Sequence, residues 1–420
     1  MHPIFIWLIV FLSIAGVIIR PFNIPEFVWA MAGAILLVVL GLITPAESLV
    51  GITNGTDVYL FLTGMMLLAE TARAEKLFDW LAAHATKRAN GSARRLFGLI
   101  YLVGIVVTAF LSNDATAVVL TPAVAAAVKA ARVKNPLPYL FICAFIANAA
   151  SFVLPISNPA NLVIYGTHMP PLLAWLAQYT IPSVVSIAVT FVMLRFTQRN
   201  ALTETIETDN PIPHLSAGGR LALIGIGITA LILLVASALE VPLGLPTAIT
   251  GILTSVLVLA RARKSPWNVI RDVSWGVLPL VAGLFVLVEA LTTTGIIQTL
   301  TTLLRTSTAH SITETTWLSG LGVALACNLI NNLPTGLIAG TVVQAGAVPE
   351  VIKSAILIGI DLGPNLSVTG SLATILWLVA LRREGQSVGA WAFLQLGALV
   401  MTIPLLCTLG VIWLYHWYAG

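Results

Sequence analysis

Four short polar segments interrupt long apolar stretches of this 420-residue chain. They are 112–116 (SNDAT), 157–161 (SNPAN), 331–335 (NNLPT) and 361–365 (DLGPN). A helix that breaks at such a segment exposes N–H and C=O groups without partners. Asn, Ser and Thr side chains hydrogen-bond to those groups and equally to a polar solute. The segments therefore predict a polar solute site inside an apolar protein.

Asp114 and Asp361 are the acids within these segments. An ionisable residue at mid-membrane is costly unless it is paired or protonated, so both acids are candidates for binding a transported proton. The alternative is that either carboxylate caps the N-terminus of a half-helix.

Basic residues are absent from 108–122, 152–166, 324–340 and 358–376. An anion site usually recruits Arg or Lys, although helix N-termini alone can hold an anion. The pattern favours a neutral solute or a cation. The sequence also has no nucleotide-binding motif and suggests no cofactor, so transport would be driven by an ion gradient or by a separate subunit.

The elements that position these segments are membrane spans. The chain is 58% hydrophobic and 9% charged, with a mean hydropathy of +0.98, whereas soluble domains have about 25% charged residues. A span needs about 20 apolar residues. Apolar runs lie at about 4–19, 25–43, 57–72, 97–128, 138–166, 172–194, 220–238, 245–260, 273–291, 317–347, 350–381 and 389–415.

Four of these runs are too long for one span and contain the polar segments. We interpret 97–128 and 317–347 as re-entrant hairpins, and 138–166 and 350–381 as helices broken at mid-membrane. Irregular backbone at that depth is tolerated where protein or a wet cavity satisfies it.

The basic residues give the orientation. With the N-terminus outside, every Lys and Arg except Arg305 and Lys353 falls on the cytoplasmic side, as the positive-inside rule requires. Both termini are then predicted to be periplasmic. The charged segment 73–95 is predicted to lie along the cytoplasmic surface.

The chain matches itself at a constant spacing, which predicts a duplication. The following pairs are 219 residues apart: Gly64 and Gly283, Glu70 and Glu289, Asn113 and Asn332, Thr116 and Thr335. Segments 161–166 and 365–370 match at an offset of 204. The acids are not matched, because Asp114 aligns with Leu333 and Asp361 with Ser157.

The duplication predicts a first repeat over 1–200, a cytoplasmic linker over 201–219 and a second repeat over 220–420. An odd number of spans separates the copies, so the second would be inverted. Inverted repeats whose broken helices meet at mid-membrane are typical of secondary transporters. The sequence thus predicts an all-α integral membrane protein that is a transporter and not an enzyme.

The motifs SNDATAVVLTP (112–122), SNPANLVIYG (157–166), NNLPTG (331–336) and DLGPNLSVTGSLATILW (361–377) resemble those of the arsenite efflux permeases (ArsB type) of the ion transporter superfamily. The resemblance implies export of arsenite and antimonite in exchange for protons across the bacterial inner membrane, alone or with a soluble ATPase subunit. It also implies a scaffold domain and an elevator-like transport domain.

Carried over position by position, the resemblance assigns the substrate site to Asn113, Thr116, Asn158, Asn161, Asn332, Thr335 and Asn365. It places Asp114 and Asp361, the candidate proton-coupling residues, in the lining of the same site. Arsenous acid is a neutral trihydroxy molecule near neutral pH, which suits a cation-free site of amides and hydroxyls. The predicted partners are thus arsenite, antimonite, protons and membrane lipid, with no nucleic acid and no structural metal ion.

Several alternatives remain. Cys143, Cys327 and Cys407 could bind trivalent arsenic, but buried thiols are usually core residues. A Na⁺/H⁺ antiporter would use Asp114 and Asp361 as ion ligands. A sodium-coupled carboxylate transporter is disfavoured by the missing cation. A channel or a membrane enzyme is the last alternative, and against an enzyme the sequence has no His/Glu metal cluster or nucleophile–base pair.

Overall fold

The computed structural model describes residues 2–166, 169–207 and 214–419, and within these ranges the chain is helical without a β-strand. Residues 208–213 of the predicted linker lie outside the described ranges. The α-helices are α1 (His2–Ile19), α2 (Glu26–Val39), α3 (Pro45–Asn54), α4 (Thr56–Ala74), α5 (Leu77–Arg88), α6 (Ala93–Phe110), α7 (Asn113–Ala115), α8 (Thr121–Ala130), α9 (Leu137–Ala149), α10 (Pro159–Tyr165), α11 (Leu172–Thr197), α12 (Ala217–Ala238), α13 (Gly244–Ala262), α14 (Pro266–Asp272), α15 (Val277–Thr293), α16 (Ile296–His310), α17 (Ile312–Ile330), α18 (Asn332–Gly346), α19 (Glu350–Leu362), α20 (Leu372–Arg383), α21 (Ala390–Val400) and α22 (Thr402–Ala419).

Six segments are long and apolar enough to cross a membrane: α6, α11, α12, α13, Pro266–Thr293 and Ala390–His416. Helices α1, α2 and α9 are apolar but shorter. Many large apolar side chains face outward, including Leu173 and Leu329, as expected of a surface in contact with lipid. These features confirm an all-α integral membrane protein.

Some boundaries differ from the prediction. The run at 389–415 is two helices that meet at Met401, because Pro404 has no N–H to continue the hydrogen-bond pattern. The run at 25–43 is followed by α3, which starts with a capping box between Thr44 and Glu47. Helices α14 and α16 were not predicted, since α16 carries Thr, Arg305 and His310 between its apolar residues.

The two predicted hairpins are present as helix–turn–helix units. In the first, α6 turns at Leu111 and Ser112 into α7 and then a π-helical turn at Thr116–Leu120. Pro122 follows that turn and lacks the N–H that an α-helix would need there. In the second, α17 turns at Asn331 into α18. That each hairpin enters and leaves the membrane on a single side stays a prediction.

Helix α5 occupies most of the predicted surface segment 73–95. Its apolar face, which includes Leu77, Phe78 and Ala82, is buried against α6 and α8 of the first hairpin. Its opposite face carries charged residues, so the helix is amphipathic, as predicted.

The two broken helices are also present, but their correspondence differs from the prediction. Helices α9 and α19 begin at 137 and 350, and α10 and α20 begin at 159 and 372, so both offsets are 213. The predicted offset of 204 is wrong, because Asn161 lies after its break in α10, whereas Asn365 lies before its break in a 3₁₀ turn, Gly363–Leu366. The non-helical part of the second break therefore begins at Ser367, after the predicted segment 361–365.

The new offset pairs residues with equivalent geometry. Asn158 caps α10 by accepting from Ala160 N, and Ser371 caps α20 by accepting from Thr374 N. Asp361 then corresponds to Asn148, not to Ser157. An acid in the second half thus takes the place of an amide in the first.

Helices of the two halves pack against each other closely at two glycines. A Cβ on Gly64 of α4 would lie 2.1 Å from the Thr247 carbonyl oxygen of α13. A Cβ on Gly283 of α15, its predicted counterpart, would lie 2.8 Å from Ala30 of α2. Such reciprocal packing is what a two-fold repeat would produce. The inversion and the limits 1–200 and 220–420 stay predictions.

Candidate functional site

A small cavity lies where the hairpin tips approach the two breaks. Its polar lining comes from Asn113 and Asp114 of the first tip, Asn158 of the first break and Asn332 of the second tip. Its apolar lining includes residues of α4, α15 and α20, namely Leu62, Val277, Val281 and Leu372. The cavity has a volume of about 10 Å³, which leaves room for about one water molecule.

The structure brings four of the nine predicted site residues to this cavity: Asn113, Asp114, Asn158 and Asn332. The other five are Thr116, Asn161, Thr335, Asp361 and Asn365, which are buried nearby. The cavity wall contains neither Lys nor Arg within the described residues, in agreement with the sequence pattern.

Asp361 lies behind Asn158 and is fully buried. Asn158 Nδ2 donates to Asp361 Oδ1 at 2.7 Å, while Asn158 Oδ1 accepts from Ala160 N at 3.0 Å. The second carboxylate oxygen, Asp361 Oδ2, has no hydrogen-bond partner. Asn158 therefore separates the acid from the cavity and contacts both.

Asp114 is placed differently. Its backbone N–H donates to Asn113 Oδ1 at 2.9 Å, and the tip is capped by Ser112 Oγ, which accepts from Ala115 N at 3.2 Å. The cap at the first tip is thus Ser112, and the Asp114 side chain faces the cavity. The structure therefore does not use the Asp114 carboxylate as the cap of this helix.

Asn161 and Asn365 hold the breaks together. Asn161 Nδ2 donates to the carbonyls of Ser151, Leu154 and Pro155 at 2.9, 3.4 and 3.3 Å. Asn365 Nδ2 donates to Phe145 O at 3.1 Å and its Oδ1 accepts from Asn148 Nδ2 at 2.9 Å. These amides connect the backbone carbonyls of the breaks and of the neighbouring helix end.

Thr116 and Thr335 stabilise the two tips. Thr116 Oγ1 lies 2.8 Å from Thr108 Oγ1 on the facing arm of the first hairpin. Thr335 Oγ1 donates to Asn331 O at 2.7 Å. The second tip also contacts its own break, since Asn332 N donates to Gly370 O at 2.9 Å.

Three neighbouring cavities form a row from this site toward one face of the protein, which we call the passage. The middle cavity shares Asp114 with the first and Glu70 with a polar vestibule of about 520 Å³. The vestibule walls include Arg73, Arg271 and Arg383. These residues belong to the predicted cytoplasmic segments, so the passage opens toward the predicted cytoplasm.

An ion-pair network borders this vestibule. Arg73 of α4 donates to Glu70, one turn earlier, and to Asp272 Oδ2 of α14 at 2.8 Å. Glu70 thus anchors Arg73 at the mouth of the passage.

In the described part of the chain, none of the three cysteines lines the cavity, although Cys327 Sγ lies 3.9 Å from Ile360 O, next to Asp361. Cys143 and Cys327 are buried, Cys407 is exposed, and all three are free thiols. Within the described residues, no group of three or more His, Cys, Asp or Glu side chains is arranged to hold a metal ion.

Sequence reasoning missed several polar residues around the breaks: Asn148, Ser151, Asn328, Ser367 and Thr374. Asn328 Nδ2 donates to Gly363 O at 2.8 Å and its Oδ1 accepts from Ser367 Oγ at 2.7 Å. An isolated polar residue in an apolar helix gives no distinctive signal, since it usually bonds to a neighbouring helix. The helix starts of the two halves would have identified Asn148, as the counterpart of Asp361.

Known proteins are similar to this chain in sequence. The family model described as citrate transporter, CitMHS, matches residues 8–359. The chain is 28% identical over 394 residues to an arsenical pump membrane protein of Escherichia coli, covering 90% of each chain. It is 28% identical over 364 residues to one of Yersinia enterocolitica, covering 84% of each.

A solved structure has the same fold. The crystal structure of the Alcanivorax borkumensis YdaH transporter matches 89% of this chain and 88% of its own, with a TM-score of 0.57 and 14% identity. These matches confirm the transporter fold and the resemblance to the arsenite efflux permeases.

Proposed function

Because the chain belongs to the citrate transporter family, CitMHS, we propose that it is a secondary transporter that exports arsenite and antimonite in exchange for protons. The membrane would be the bacterial inner membrane, with both termini in the periplasm. The relatives named arsenical pump membrane proteins support the substrate class.

The observation that carries the proposal is the composition of the cavity wall. Three amide side chains and one carboxylate face a space that has no Lys or Arg among the described residues. A citrate-like anion usually recruits cationic partners that offset its desolvation. Arsenous acid is uncharged and carries three hydroxyls that can donate and accept, so amides can bind it without a countercharge.

The cavity in this structure holds about one water molecule, so a trihydroxy substrate requires the walls to separate. Helices α4 and α15 would form the static wall, while the two tips and breaks would move together. This movement corresponds to the elevator-like transport predicted from the resemblance. The passage toward the predicted cytoplasm suits loading of a substrate that is to be exported.

Asn158 offers a physical link between proton and substrate. When Asp361 is ionised, a charge-assisted bond holds the Asn158 amide, and such bonds are about twice as strong as neutral ones. When Asp361 is protonated, this bond weakens and the amide is free to reorient. The protonation state of Asp361 would therefore set which polar atoms of Asn158 face the substrate.

Asp114 would act within the cavity itself. Its carboxylate faces the space shared with Asn113 and Asn332, so a bound substrate hydroxyl and a proton would compete for it. Competition of this kind is what exchange of substrate for protons requires. Substrate contacts of Thr116, Asn161, Thr335 and Asn365 would depend on rearrangement, because they lie outside the present wall.

A Na⁺/H⁺ antiporter is the second candidate, for one reason. Asn332 Oδ1 is buried without a hydrogen-bond partner and belongs to the same cavity as Asp114. A carboxylate and an amide oxygen are suitable ligands for a hard cation.

Everted membrane vesicles with an imposed proton gradient test the proposal. We expect uptake of arsenite and antimonite that collapses when an uncoupler is added, and no uptake of citrate. Sodium-dependent proton movement without arsenite uptake would support the second candidate and exclude the first. Comparison of vesicles with and without a soluble ATPase subunit would test that predicted partner.

A further inference from the structure

A group of buried hydroxyls begins at the end of the molecule opposite the vestibule. The Tyr165 hydroxyl lies 2.7 Å from the Tyr179 hydroxyl and 3.4 Å from Glu350 Oε2. The Tyr179 hydroxyl is also 3.2 Å from Ser354 Oγ. Both tyrosines are almost fully buried, whereas the Glu350 side chain is 58% exposed. The group thus connects solvent on the predicted periplasmic side to the interior.

Hydroxyls continue inward along one face of α11. Tyr179, Ser183 and Ser186 are four and three residues apart, so they share this face. All three are buried, and Ser183 Oγ has no hydrogen-bond partner. A buried hydroxyl without a partner is unfavourable for folding, so packing alone does not account for Ser183.

The inner end of this face reaches the surroundings of Asp361. Ser186 Oγ donates to Ala149 O at 2.8 Å, at the C-terminus of α9. Ser151 Oγ donates to Asn148 O at 2.8 Å in the same turn and lies close to the Asp361 carboxylate. Ser354 and Asp361 are also on one helix, α19, about 10 Å apart at 1.5 Å per residue.

We propose that Glu350, Tyr165, Tyr179, Ser183 and Ser186 form a proton path from the predicted periplasmic face to Asp361. The inference rests on the proposed exchange of substrate for protons. It adds that the proton reaches Asp361 from behind Asn158, not through the substrate cavity.

Protons balance along the path. Glu350 takes a proton from external water and passes one to the Tyr165 hydroxyl, which releases its own proton to Tyr179. Each following hydroxyl, with a water where two hydroxyls are too far apart, accepts one proton and releases one. The net result is that one external proton becomes bound to Asp361. Glu350 returns to the carboxylate that pairs with Lys353, and every hydroxyl on the path is again neutral.

Separate routes have a consequence for coupling. The substrate passage opens on the side of the arginine-rich vestibule, and the hydroxyl path starts at the opposite end. A proton on Asp361 then acts on the substrate through the Asn158–Asp361 contact. This arrangement would prevent protons from simply following the substrate.

The test uses purified full-length protein in proteoliposomes, with two assays on each variant. Proton-driven arsenite uptake requires the path. Exchange of internal for external arsenite without a gradient requires only the substrate-loaded states. The variants are Tyr165→Phe, Tyr179→Phe, the double variant and Ser183→Ala. Phe keeps the ring packing of Tyr165 and Tyr179 on Trp175, and Ser183→Ala removes no hydrogen bond.

We expect proton-driven uptake to fall about 100-fold in the double variant, the lower range of what a positioned proton donor contributes, while exchange stays near wild type. Ser183→Ala should lower the same rate and increase the effect of D₂O on it. The control is Tyr101→Phe, because the Tyr101 hydroxyl is buried and donates to Ile187 O of α11 at 2.7 Å outside the path. It should leave the ratio of the two rates unchanged.

The outcomes separate the possibilities. Wild-type proton-driven uptake in the double variant would overturn the path. An equal fall of both rates would show a structural role and overturn it too. If wild-type protein itself neither takes up nor exchanges arsenite, the proposed function fails and not only the path.

Discussion

Replacement of Asn158 by Ala should separate substrate exchange from proton coupling. The change removes the amide that lies between the cavity and Asp361 and leaves that carboxylate without its 2.7 Å donor. Asn158 is 2% exposed and Asp361 0% exposed, so water cannot readily replace the bond. Removing Asn158 therefore acts on the contact that links Asp361 to the substrate cavity.

The magnitude follows from the type of bond. A hydrogen bond to a charged group contributes about 1.5–3 kcal/mol, which corresponds to a factor of about 10–150. We expect the ratio of proton-driven arsenite uptake to gradient-free exchange to fall by about this factor. The substrate itself should lose one neutral bond, which lowers its affinity by about 2- to 13-fold.

The assay measures both rates in the same proteoliposomes, normalised to the amount of folded protein. Asn161→Ala is the matched control, because the Asn161 amide donates to backbone carbonyls of the break. It should lower the amount of folded protein and both rates together. An Asn158→Ala protein that keeps the wild-type ratio would refute the view that this amide couples the two sites.

Three further changes test other parts of the structure. Asp114→Asn should reduce proton-driven uptake without lowering protein yield, since this side chain lines the cavity and does not cap its helix; wild-type coupling would exclude it as a proton site. A protein with Cys143, Cys327 and Cys407 replaced by Ser should still transport arsenite, and loss of transport at normal membrane insertion would support thiol ligation. Gly64→Ala should destabilise the protein by about 1–3 kcal/mol in detergent melting experiments, because its Cβ would lie 2.1 Å from Thr247 O. Gly227→Ala, whose Cβ would have nothing within 4 Å, should stabilise its helix by up to about 1 kcal/mol. Equal melting temperatures of the two variants would contradict the close packing at Gly64.

The sequence predicted the features that depend on composition. Asn, Ser, Thr and Pro inside apolar runs identify the hairpin tips and the breaks, because few other residues can satisfy interrupted backbone within a membrane. Asn113, Asp114, Asn158 and Asn332 were therefore identified before their common cavity was known. Helix α16 was not, because its apolar face alternates with Thr and Arg305 and its mean hydropathy is low.

The predicted offset of 219 agrees with the starts of the hairpin helices, at 93 and 312 and at 113 and 332. The alignment of the two broken helices failed for a different reason. Segments 161–166 and 365–370 share Asn-Leu and a later Gly at an offset of 204. The starts of the corresponding helices, however, are 213 residues apart. In a diverged duplication the helix caps conserve their position and not their residue type, as Asn158 and Ser371 illustrate. Both Asn and Ser accept a backbone N–H, so capping alone does not preserve identity. Tyr165, Tyr179 and Ser183 were also missed, since single hydroxyls in apolar helices are common.

The corrected correspondence makes a final prediction about Asp361. In the first half, Asn148 donates to Asn365 Oδ1 at 2.9 Å and lies 3.5 Å from Thr374 Oγ1. In the second half, Asp361 accepts from Asn158 at 2.7 Å. At position 148 an amide bonds to an amide, and neither group takes up a proton. At the corresponding position 361 an acid bonds to an amide, and the acid can take up a proton.

Asp361→Asn gives the second half the side chain that the first half has at the corresponding position, Asn148. The new amide fits the same volume and keeps a hydrogen bond to Asn158, so folding and gradient-free arsenite exchange should persist. Proton-driven uptake should be lost, and an imposed proton gradient should no longer change the exchange rate. A variant that still responds to the gradient would show that the proton binds elsewhere, and the response of the Asp114→Asn variant would then decide whether that site is the hairpin tip.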